Sequence, residues 1–285
     1  MDNKEKNKTE KSTLYLVATP IGNLADISER AKKVLSEVDF IAAEDTRNSM
    51  KLLGCYGIHK EMVSYHEHNK HESGERIVSR LLAGESCAVI TDAGMPAISD
   101  PGEDIVRLCV ESGITVTAVP GCSAAITALA LSALSTARFA FEGFLPAKAS
   151  ERAKRLEPLK NEDRTMIFYE APHKLKGTLN AMMEIFGPER KVSLARELTK
   201  LNEDIMHGTF ASASAYYEEH EPRGEYVIVV EGAKEKVSGD DELSELSPEE
   251  LVKMYEDTGL SRMDAIKKAA KARGMSKSEM YKLLL

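Results

Sequence analysis

The sequence predicts an α/β protein with two α/β domains followed by a short helical unit. In the first half, the apolar runs 88–90 and 114–119 carry β-branched residues and end in glycine-containing loops, as strands do. In the second half, the runs 165–169 and 226–231 are also typical of strands, but more strands stand between the helices, so a mixed sheet is expected. The segment 259–285 carries seven basic side chains against two acidic ones, a net charge of +5 that marks a separate unit.

Strands and helices alternate through the first half. Strands are predicted at 14–18, 40–43, 62–65, 88–90 and 114–119. Helices are predicted after Asp26 or Ser28, either of which can act as the cap, and at 73–84, 105–110 and 124–134. In open sheets built this way, ligands bind beyond the carboxyl ends of the strands.

The second half begins with a strand at 137–146, which contains three closely spaced phenylalanines. It continues with a helix at 151–160, a strand at 165–169, a helix at 175–186, a strand at 192–195, an extended segment at 205–210, a helix at 211–219 and a strand at 226–231. Ser261 and Ser276 can cap helices of the basic tail, which predicts a three-helix, helix-turn-helix-like unit. The expected divisions are a disordered tail at 1–12, α/β domains at 13–134 and 137–232, an acidic linker at 233–247 and the basic helical unit at 248–285.

The composition predicts a soluble protein of the reducing cytoplasm. The 285 residues, 29% charged and 42% apolar, suffice for two ordinary globular domains. The four cysteines form no CxxC pair, so no disulfide is expected. The polar segment 1–12 lacks the apolar core of a signal peptide. The uncharged stretch 114–137 is long enough for a membrane span, but Pro120 and Gly121 interrupt it, which favours a buried strand, loop and helix.

Three loops at predicted strand ends, at 20–24, 92–99 and 120–124, combine proline and glycine. These residues shape the backbone so that a ligand can approach it closely. The sequence contains no GxGxxG motif between a strand and a helix, no P-loop and no GxSxG motif, so the common dinucleotide, phosphate and nucleophile sites are not expected. The loops therefore predict a pocket for a nucleotide-like cofactor.

Three histidines, His66, His68 and His71, lie close together in the sequence. Their H-x-H-x-x-H spacing is not one of the strong zinc patterns, and no cysteine lies nearby. No metal site is therefore predicted, and zinc binding stays as the alternative.

Seven segments in this order resemble the tetrapyrrole methylase superfamily: LYLVATPIGNLADISERA, FIAAEDTR, ITDAGMPAISDPG, VPGCSA, FEGFLP, YEAPHKL and RELTK. More narrowly, they are similar to its ribosomal branch, the family of small-subunit (16S) rRNA (cytidine-2′-O)-methyltransferases. The resemblance covers residues 13–232 and the helical tail at 248–285.

The resemblance implies that S-adenosylmethionine binds in the cleft between the two domains and yields S-adenosylhomocysteine without a metal. The implied substrate is the ribose of a cytidine in the decoding region of 16S rRNA within the small ribosomal subunit. A homodimer in the cytoplasm, with no membrane partner, is also implied. The reaction is then an in-line displacement in which positioning contributes most and a general base adds about 10²–10⁴-fold.

Carried over by position, the residues expected to bind the cofactor are Pro20, Gly22, Asn23, Asp92, Ala93, Gly94, Ile98, Ser99, Pro120, Ser123, Ala124, Tyr169 and Leu198. The sequence departs from the family pattern at Met95, where threonine is more common, and at Asn202, where an aromatic residue is common. The first change affects loop packing, and the second affects the expected pocket wall.

Charged residues at two strand ends are the candidates for catalysis: Glu44, Asp45, Arg47, Arg196, Glu197 and Lys200. We expect one carboxylate to take or relay the proton of the ribose hydroxyl, while an arginine or lysine orients a phosphate. The residues leave open which carboxylate acts. The alternative is that these groups form salt bridges that join the two domains.

The basic tail is the candidate RNA-binding surface. The side chains expected to contact RNA are Arg262, Lys267, Lys268, Lys271, Arg273 and Lys277. Because the whole chain has a net charge of −8, contact with RNA must use such a local basic surface. A folded ribonucleoprotein is favoured over naked RNA for the same reason. The alternative is a solvated helical appendage.

Two other functions remain open. A methylase of the same superfamily could act on a small tetrapyrrole, although the basic tail has no clear use with a small substrate. A non-catalytic RNA-binding assembly protein could retain a cofactor-like cleft, and cofactor binding discriminates between that protein and an enzyme.

Overall fold

In the computed structural model, which describes residues 8–233, 246–273 and 275–284, five parallel strands form the first sheet. These are β1 (Thr13–Val17), β2 (Phe40–Ala43), β3 (Glu61–Ser64), β4 (Cys87–Ile90) and β5 (Thr115–Val119), in the order β3-β2-β4-β1-β5. Every residue of β2 and β4 is buried. The short apolar runs therefore behave as expected for a parallel sheet that is covered on both faces.

The helices of this half are α1 (Glu29–Glu37), α2 (Thr46–Cys55), α3 (Lys70–Leu82), α4 (Gly102–Glu111) and α5 (Ala124–Leu131). Ser28, one of the two predicted caps, begins α1 by accepting a hydrogen bond from the backbone of Ala31, whereas Asp26 lies in a short 3-10 helix. Helix α2 is absent from the sequence-based prediction. Asp45 caps this helix, so part of the charged segment at 44–47 is a helix start.

The second sheet is mixed, as predicted. It contains β6 (Phe139–Phe144), β7 (Thr165–Glu170), β8 (Lys191–Arg196), β9 (Asp204–Thr209) and β10 (Tyr226–Val230), in the order β6-β7-β10-β8-β9. Strands β6 and β7 are parallel, and the other neighbours are antiparallel. Helices α6 (Ala149–Leu156), α7 (Pro172–Phe186) and α8 (Phe210–Glu219) complete this half.

Helix α5 connects the two halves. Its buried residues Ala125, Ala128 and Leu129 pack in one cluster with Ile167 and Val227 of the second sheet. Small side chains let the helix approach that sheet closely. The helix predicted to end the first domain thus contributes to the core of the second half, and both sheets belong to one compact unit.

A second compact unit consists of Lys160–Arg164 and the described residues from Gly232 onward. Its helices are α9 (Pro248–Asp257), α10 (Arg262–Ala272) and α11 (Lys277–Leu283). Ser261 and Ser276 cap α10 and α11 as predicted, and Ser247 caps α9. These helices enclose a small apolar cluster of their own.

The predicted disordered tail and acidic linker fall mainly on residues 1–7 and 234–245, which lie outside the described residues. The tail prediction extends too far, because the end of the segment is tied to the first half. Lys11 Nζ lies 2.8 Å from a carboxylate oxygen of Asp39, and the amide of Ser12 donates to the carbonyl of Glu85 over 3.0 Å. Across the described part of the chain, no helix combines the length and apolar character that a membrane span requires.

Candidate functional site

Two of the predicted loops are joined at the carboxyl end of the first sheet. The amide of Thr19 donates to the carbonyl of Gly94 over 2.9 Å, and the amide of Gly94 returns a bond to Thr19 over 3.1 Å. Gly94 has a φ of +87°, a conformation that glycine adopts without strain. The loops after β1 and β4 therefore form one rigid edge of the site.

A turn from the second half closes over the first loop. The amide of Asn23 donates to the hydroxyl of Thr199 over 3.1 Å. A Cβ atom on Gly22 would lie 2.4 Å from Cγ of Lys200 and 2.8 Å from Oγ1 of Thr199. Only a glycine leaves room for this contact, so Gly22 is a point at which the two halves meet.

A cavity of about 650 Å³ lies beside this contact and is lined by residues of both halves. This volume is in the range of small-molecule and cofactor sites. The predicted cofactor residues that line it are Asp92, Ala93, Gly94, Ile98, Ser99, Ser123, Ala124, Tyr169 and Leu198. The predicted catalytic candidates that line it are Glu44, Glu197 and Lys200.

Four predicted cofactor residues lie outside this lining. Pro20 is buried, and Gly22 and Asn23 contact the closing turn. Pro120 is exposed. Gly22 and Asn23 therefore act on the cavity through the closing turn, whose Leu198 and Lys200 line it. Asn202, one of the two departures from the family pattern, is exposed and also lies outside the lining, whereas Met95 lies within it.

Sequence reasoning missed several lining residues. Ile21 and Val227 add apolar wall, and Phe144 lines the cavity with 61% of its surface exposed. Glu170 ends strand β7, and His173 follows it. The segment YEAPH provided a signal, because it follows a strand end as the other three loops do. No sequence signal places Val227, which enters through the antiparallel pairing of β10 with β7.

Tyr169 is held in an aromatic cluster at the cavity. Its ring centroid lies 5.0 Å from that of Phe141 and 5.4 Å from that of Phe144. Burial raises the pKa of its phenol, and a hydrogen bond with the backbone of Ala125 acts in the opposite direction. The residue therefore offers a flat, neutral face against which a heterocyclic ring can stack.

Glu44 differs from the other candidate catalytic carboxylates because no hydrogen bond or ion pair within the described part of the chain holds it. Its carboxylate has no hydrogen-bond or ion-pair partner among the described residues. Although the side chain keeps solvent contact, partial burial and the nearby carboxylates of Asp92 and Asp100 raise its pKa, while His66 opposes them. A carboxylate with a raised pKa at a cavity wall can accept a proton.

Asp45 and Arg47 interact with each other at the start of helix α2. The Asp45 carboxylate accepts hydrogen bonds from the amides of Arg47 and Asn48, at 2.9 and 3.3 Å, and these bonds lower its pKa. The side chain of Arg47 lies 3.6 Å from Asp45 and is 84% exposed. Asp45 therefore serves as a helix cap, and Arg47 remains accessible to a large anionic substrate.

Glu197 and Lys200 form an ion pair within the closing turn. Lys200 Nζ lies 2.8 Å from a carboxylate oxygen of Glu197 and 2.8 Å from one of Glu225. The bond to Lys200 lowers the pKa of Glu197. For Lys200, burial lowers the pKa, but the two carboxylates outweigh it and the net change is upward. Arg196, outside the lining, lies 3.9 Å from Asp204. Each of these pairs is local to one half, unlike the interdomain salt bridges considered as the alternative.

The basic residues of the C-terminal unit differ in how freely they are presented. Lys267, Lys271 and Lys277 are exposed. Lys268 lies 5.0 Å from the ring centroid of Tyr255, and Arg262 lies 3.9 Å from Glu256. Arg273 donates a hydrogen bond to the carbonyl of Leu246. The first three are thus the most available to RNA.

The cavity fits a nucleoside cofactor that carries a positive charge. Ile21, Leu198 and Val227 give apolar walls, and the stacking face of Tyr169 lies beside them. Glu44 and Asp92 add negative charge at the same cavity. These features suit the adenosine and the sulfonium of S-adenosylmethionine. Among the residues that the structure describes, no group of three or more side chains is arranged to hold a metal ion.

Comparison with known proteins identifies the family. Residues 13–214 match the family described as Tetrapyrrole (Corrin/Porphyrin) Methylases. Proteins named ribosomal RNA small subunit methyltransferase I from Halalkalibacterium halodurans and Bacillus subtilis are each 46% identical to this chain. The alignments cover 97% and 96% of this chain, and 96% and 94% of the relatives.

A solved structure supports the fold. Uroporphyrin-III C-methyltransferase from Thermus thermophilus, complexed with S-adenosylhomocysteine, superposes with a TM-score of 0.54 at 15% identity, covering 77% of this chain and 97% of that one. The predicted fold class and family resemblance are confirmed. The chain belongs to the tetrapyrrole (corrin/porphyrin) methylase family, together with relatives named ribosomal RNA small subunit methyltransferase I.

Proposed function

We propose that this chain transfers a methyl group from S-adenosylmethionine to the ribose 2′-oxygen of a cytidine in 16S rRNA of the small ribosomal subunit. The observation that carries the proposal is the 46% identity, over almost the full length of both chains, to proteins named ribosomal RNA small subunit methyltransferase I. The decoding region is the proposed location of the cytidine.

The loops after β1, β4 and β5 and the turn at 197–200 would hold the cofactor. When bound, S-adenosylmethionine supplies an activated methyl group on a sulfonium. The chain contributes alignment, because the joined loops and the ion-paired turn present a rigid wall before any ligand binds. Asp92 and Glu44 lie where negative charge would favour a cation.

Glu44 is the proposed acceptor of the 2′-hydroxyl proton. Asp45 is occupied as a helix cap and Glu197 by its ion pair, so Glu44 is the carboxylate of the three that is free to act. Its raised pKa brings it closer to that of a useful general base. The exposed guanidinium of Arg47, three residues further along the chain, is suited to a backbone phosphate.

We extend the proposal to a homodimer that works in the cytoplasm. Ile126 of α5 and Phe139 of β6 expose 51% and 41% of their surfaces. Exposed apolar side chains mark an interface only where they form a contiguous patch, so the homodimer is proposed from the resemblance to the family.

Methyl transfer to ribosomal particles tests the proposed function. The purified protein is incubated with tritiated S-adenosylmethionine and small ribosomal subunits that lack their native methylation. We expect label in the RNA and, after digestion to nucleosides, labelled 2′-O-methylcytidine. Protein-free 16S rRNA in a parallel reaction tests the preference for the assembled particle.

The same experiment separates the alternatives. Cofactor binding by calorimetry without transfer to RNA, in either form, contradicts the proposal and favours a methylase of small molecules. Absence of both binding and transfer favours a non-catalytic RNA-binding protein.

Replacing Lys267, Lys271 and Lys277 together by glutamine tests the proposed RNA contacts of the C-terminal unit. We expect about tenfold weaker binding to ribosomal particles and a shallower dependence on salt, because three phosphate contacts are lost. Cofactor affinity should stay unchanged in calorimetry. Replacing Glu249, an exposed acidic residue of α9, by glutamine is the control for a surface change. Unchanged particle binding by the triple variant would leave the tail as a solvated appendage.

A further inference from the structure

A second, smaller cavity of about 250 Å³ lies beside the cofactor cavity. Asn48, Ser49 and Leu52 of helix α2 line it together with Asp92. Asp92 also lines the larger cavity, so the two spaces meet at this side chain. At ~30 Å³ for each water molecule of the liquid, the smaller cavity has room for roughly eight waters. It can therefore accommodate a single heterocyclic ring.

Ser49 indicates that this cavity is built for a polar ligand. The residue is only 3% exposed, and its hydroxyl has no hydrogen-bond partner among the described residues. Two other helical serines, Ser36 and Ser79, return their hydroxyls to the carbonyl four residues earlier, at 2.8 and 2.9 Å. Ser49 makes no such bond, and its hydroxyl is not among the fully buried unsatisfied groups, so it is reached from the cavity. A ligand in the cavity would replace solvent as its hydrogen-bond partner.

The other polar groups at the cavity are equally available. The side-chain amide of Asn48 and the carboxylate of Asp92 have no partner within the described ranges of the chain. Together with Ser49 they offer two donors and one charged acceptor, while Leu52 offers an apolar surface. A ligand that matches this set is a planar ring with one donor group and adjacent acceptors.

We propose that this cavity receives the base of the target cytidine. This inference rests on the proposed function and deepens it. Cytosine presents an amino group that suits Asp92, and acceptors at N3 and O2 that suit the hydroxyl of Ser49 and the amide of Asn48. Uracil has a carbonyl oxygen in place of the amino group, and this acceptor would be repelled by the Asp92 carboxylate. Unpaired bases of RNA loops are commonly turned out of their stack and read in this way.

The position of the cavity fits the reaction. A base between α2 and Asp92 carries its ribose toward the junction of the two cavities. Glu44, which directly precedes the cap of α2, lines the larger cavity together with Asp92. The proton acceptor, the ribose hydroxyl and the cofactor cavity are thus brought to one place.

Substrate discrimination tests the proposal. The values of kcat/KM are measured for particles that carry cytidine or uridine at the methylated position, with the wild-type protein and the variants Ser49→Ala and Asn48→Ala. We expect the preference for cytidine to fall about tenfold in Ser49→Ala, because N3 is an acceptor in cytosine and a donor in uracil. Asn48→Ala loses a contact to O2, which both bases carry, and should lower kcat/KM about tenfold for both substrates. Affinity for S-adenosylmethionine, measured by calorimetry, should not change. Cys55→Ala, at the exposed end of the same helix, is the matched control and should keep the wild-type preference.

A second variant covers the case in which the serine change disturbs the helix. Leu52→Phe fills the cavity from its apolar side, and we expect it to lower RNA methylation at least tenfold with unchanged cofactor affinity. If Ser49→Ala keeps the wild-type preference, Asn48→Ala keeps the wild-type kcat/KM and Leu52→Phe keeps the wild-type rate, the base pocket is wrong while the methyltransferase function stands. If the wild-type protein does not methylate the cytidine at all, the proposed function itself has failed.

Discussion

Replacing Glu44 by glutamine is expected to lower kcat for RNA methylation by about 10²–10⁴-fold, the contribution of a general base. Glutamine keeps the size and the hydrogen-bonding capacity of the side chain but cannot accept the proton. Because Glu44 has no structural partner among the described residues, the variant should fold as the wild type does. Single-turnover transfer from tritiated S-adenosylmethionine measures the chemical step directly, and calorimetry checks that the cofactor still binds.

The pH dependence gives a second readout for Glu44. A general base acts only when it has lost its proton, so the rate should rise with pH as the carboxyl group ionises. Burial and the charges of Asp92 and Asp100 place this rise above the ordinary carboxyl pKa of 4.5, and His66 reduces the displacement. In Glu44→Gln this part of the profile should disappear. A retained rise would assign it to another group.

Asp45→Asn is the matched comparison because it removes a carboxylate one residue away. Asparagine caps helices as well as aspartate does, so the start of α2 should survive. We expect close to wild-type turnover for this variant. Equal losses in Asp45→Asn and Glu44→Gln would indicate a general loss of negative charge at the cavity, and an active Glu44→Gln would exclude Glu44 as the base.

These two adjacent carboxylates show how far the sequence can be interpreted. Its local pattern placed the charged segment at 44–47 at the end of β2, beside the proline- and glycine-containing loops, and the structure has it there. The pattern did not predict α2. Without that helix, nothing distinguished a capping carboxylate from a free one, so both stayed candidates.

The second half of the cavity depended on contacts that no local pattern contains. Strand periodicity predicted β7, β8 and β10 separately, but their pairing brings Tyr226 opposite both Glu170 and Arg196. The turn at 197–200 reaches the first loop across a sequence separation of 176 residues, measured from Asn23 to Thr199. Such pairings depend on the packed sheet and not on the residues that surround either segment.

Gly22 is the position at which this long-range contact is most sensitive to substitution. We expect Gly22→Ala to weaken binding of S-adenosylmethionine at least tenfold, about 1.4 kcal/mol, and Gly22→Val to weaken it about 100-fold. The new Cβ atom would lie 2.8 Å from Oγ1 of Thr199 and 3.2 Å from the carbonyl oxygen of Leu198. Real Cβ atoms do not make contacts as short as 2.8 Å, and 3.2 Å is tighter than most of them, so the turn has to move.

The turn cannot move without changing the cavity. The hydroxyl of Thr199 accepts a hydrogen bond from the amide of Asn23. Glu197 and Thr199 adopt positive φ values of +50° and +66°. The backbone there is already restricted, so a shift cannot be absorbed within one residue. Leu198 and Lys200, which line the cavity, would be displaced with it. Loss of affinity with an intact fold is therefore the expected outcome, and calorimetry together with urea unfolding measures the two separately.

Gly54→Ala provides the matched control for Gly22. Gly54 lies inside helix α2, and a Cβ atom there would meet nothing within 4 Å. We expect this change to stabilise the protein by about 0.5–1 kcal/mol, the helical advantage of alanine over glycine, and to leave cofactor affinity unchanged. If Gly22→Ala also retains wild-type affinity, the closing turn does not form part of the cofactor site. If both variants lose affinity, the effect belongs to glycine replacement in general and not to the contact between the two halves.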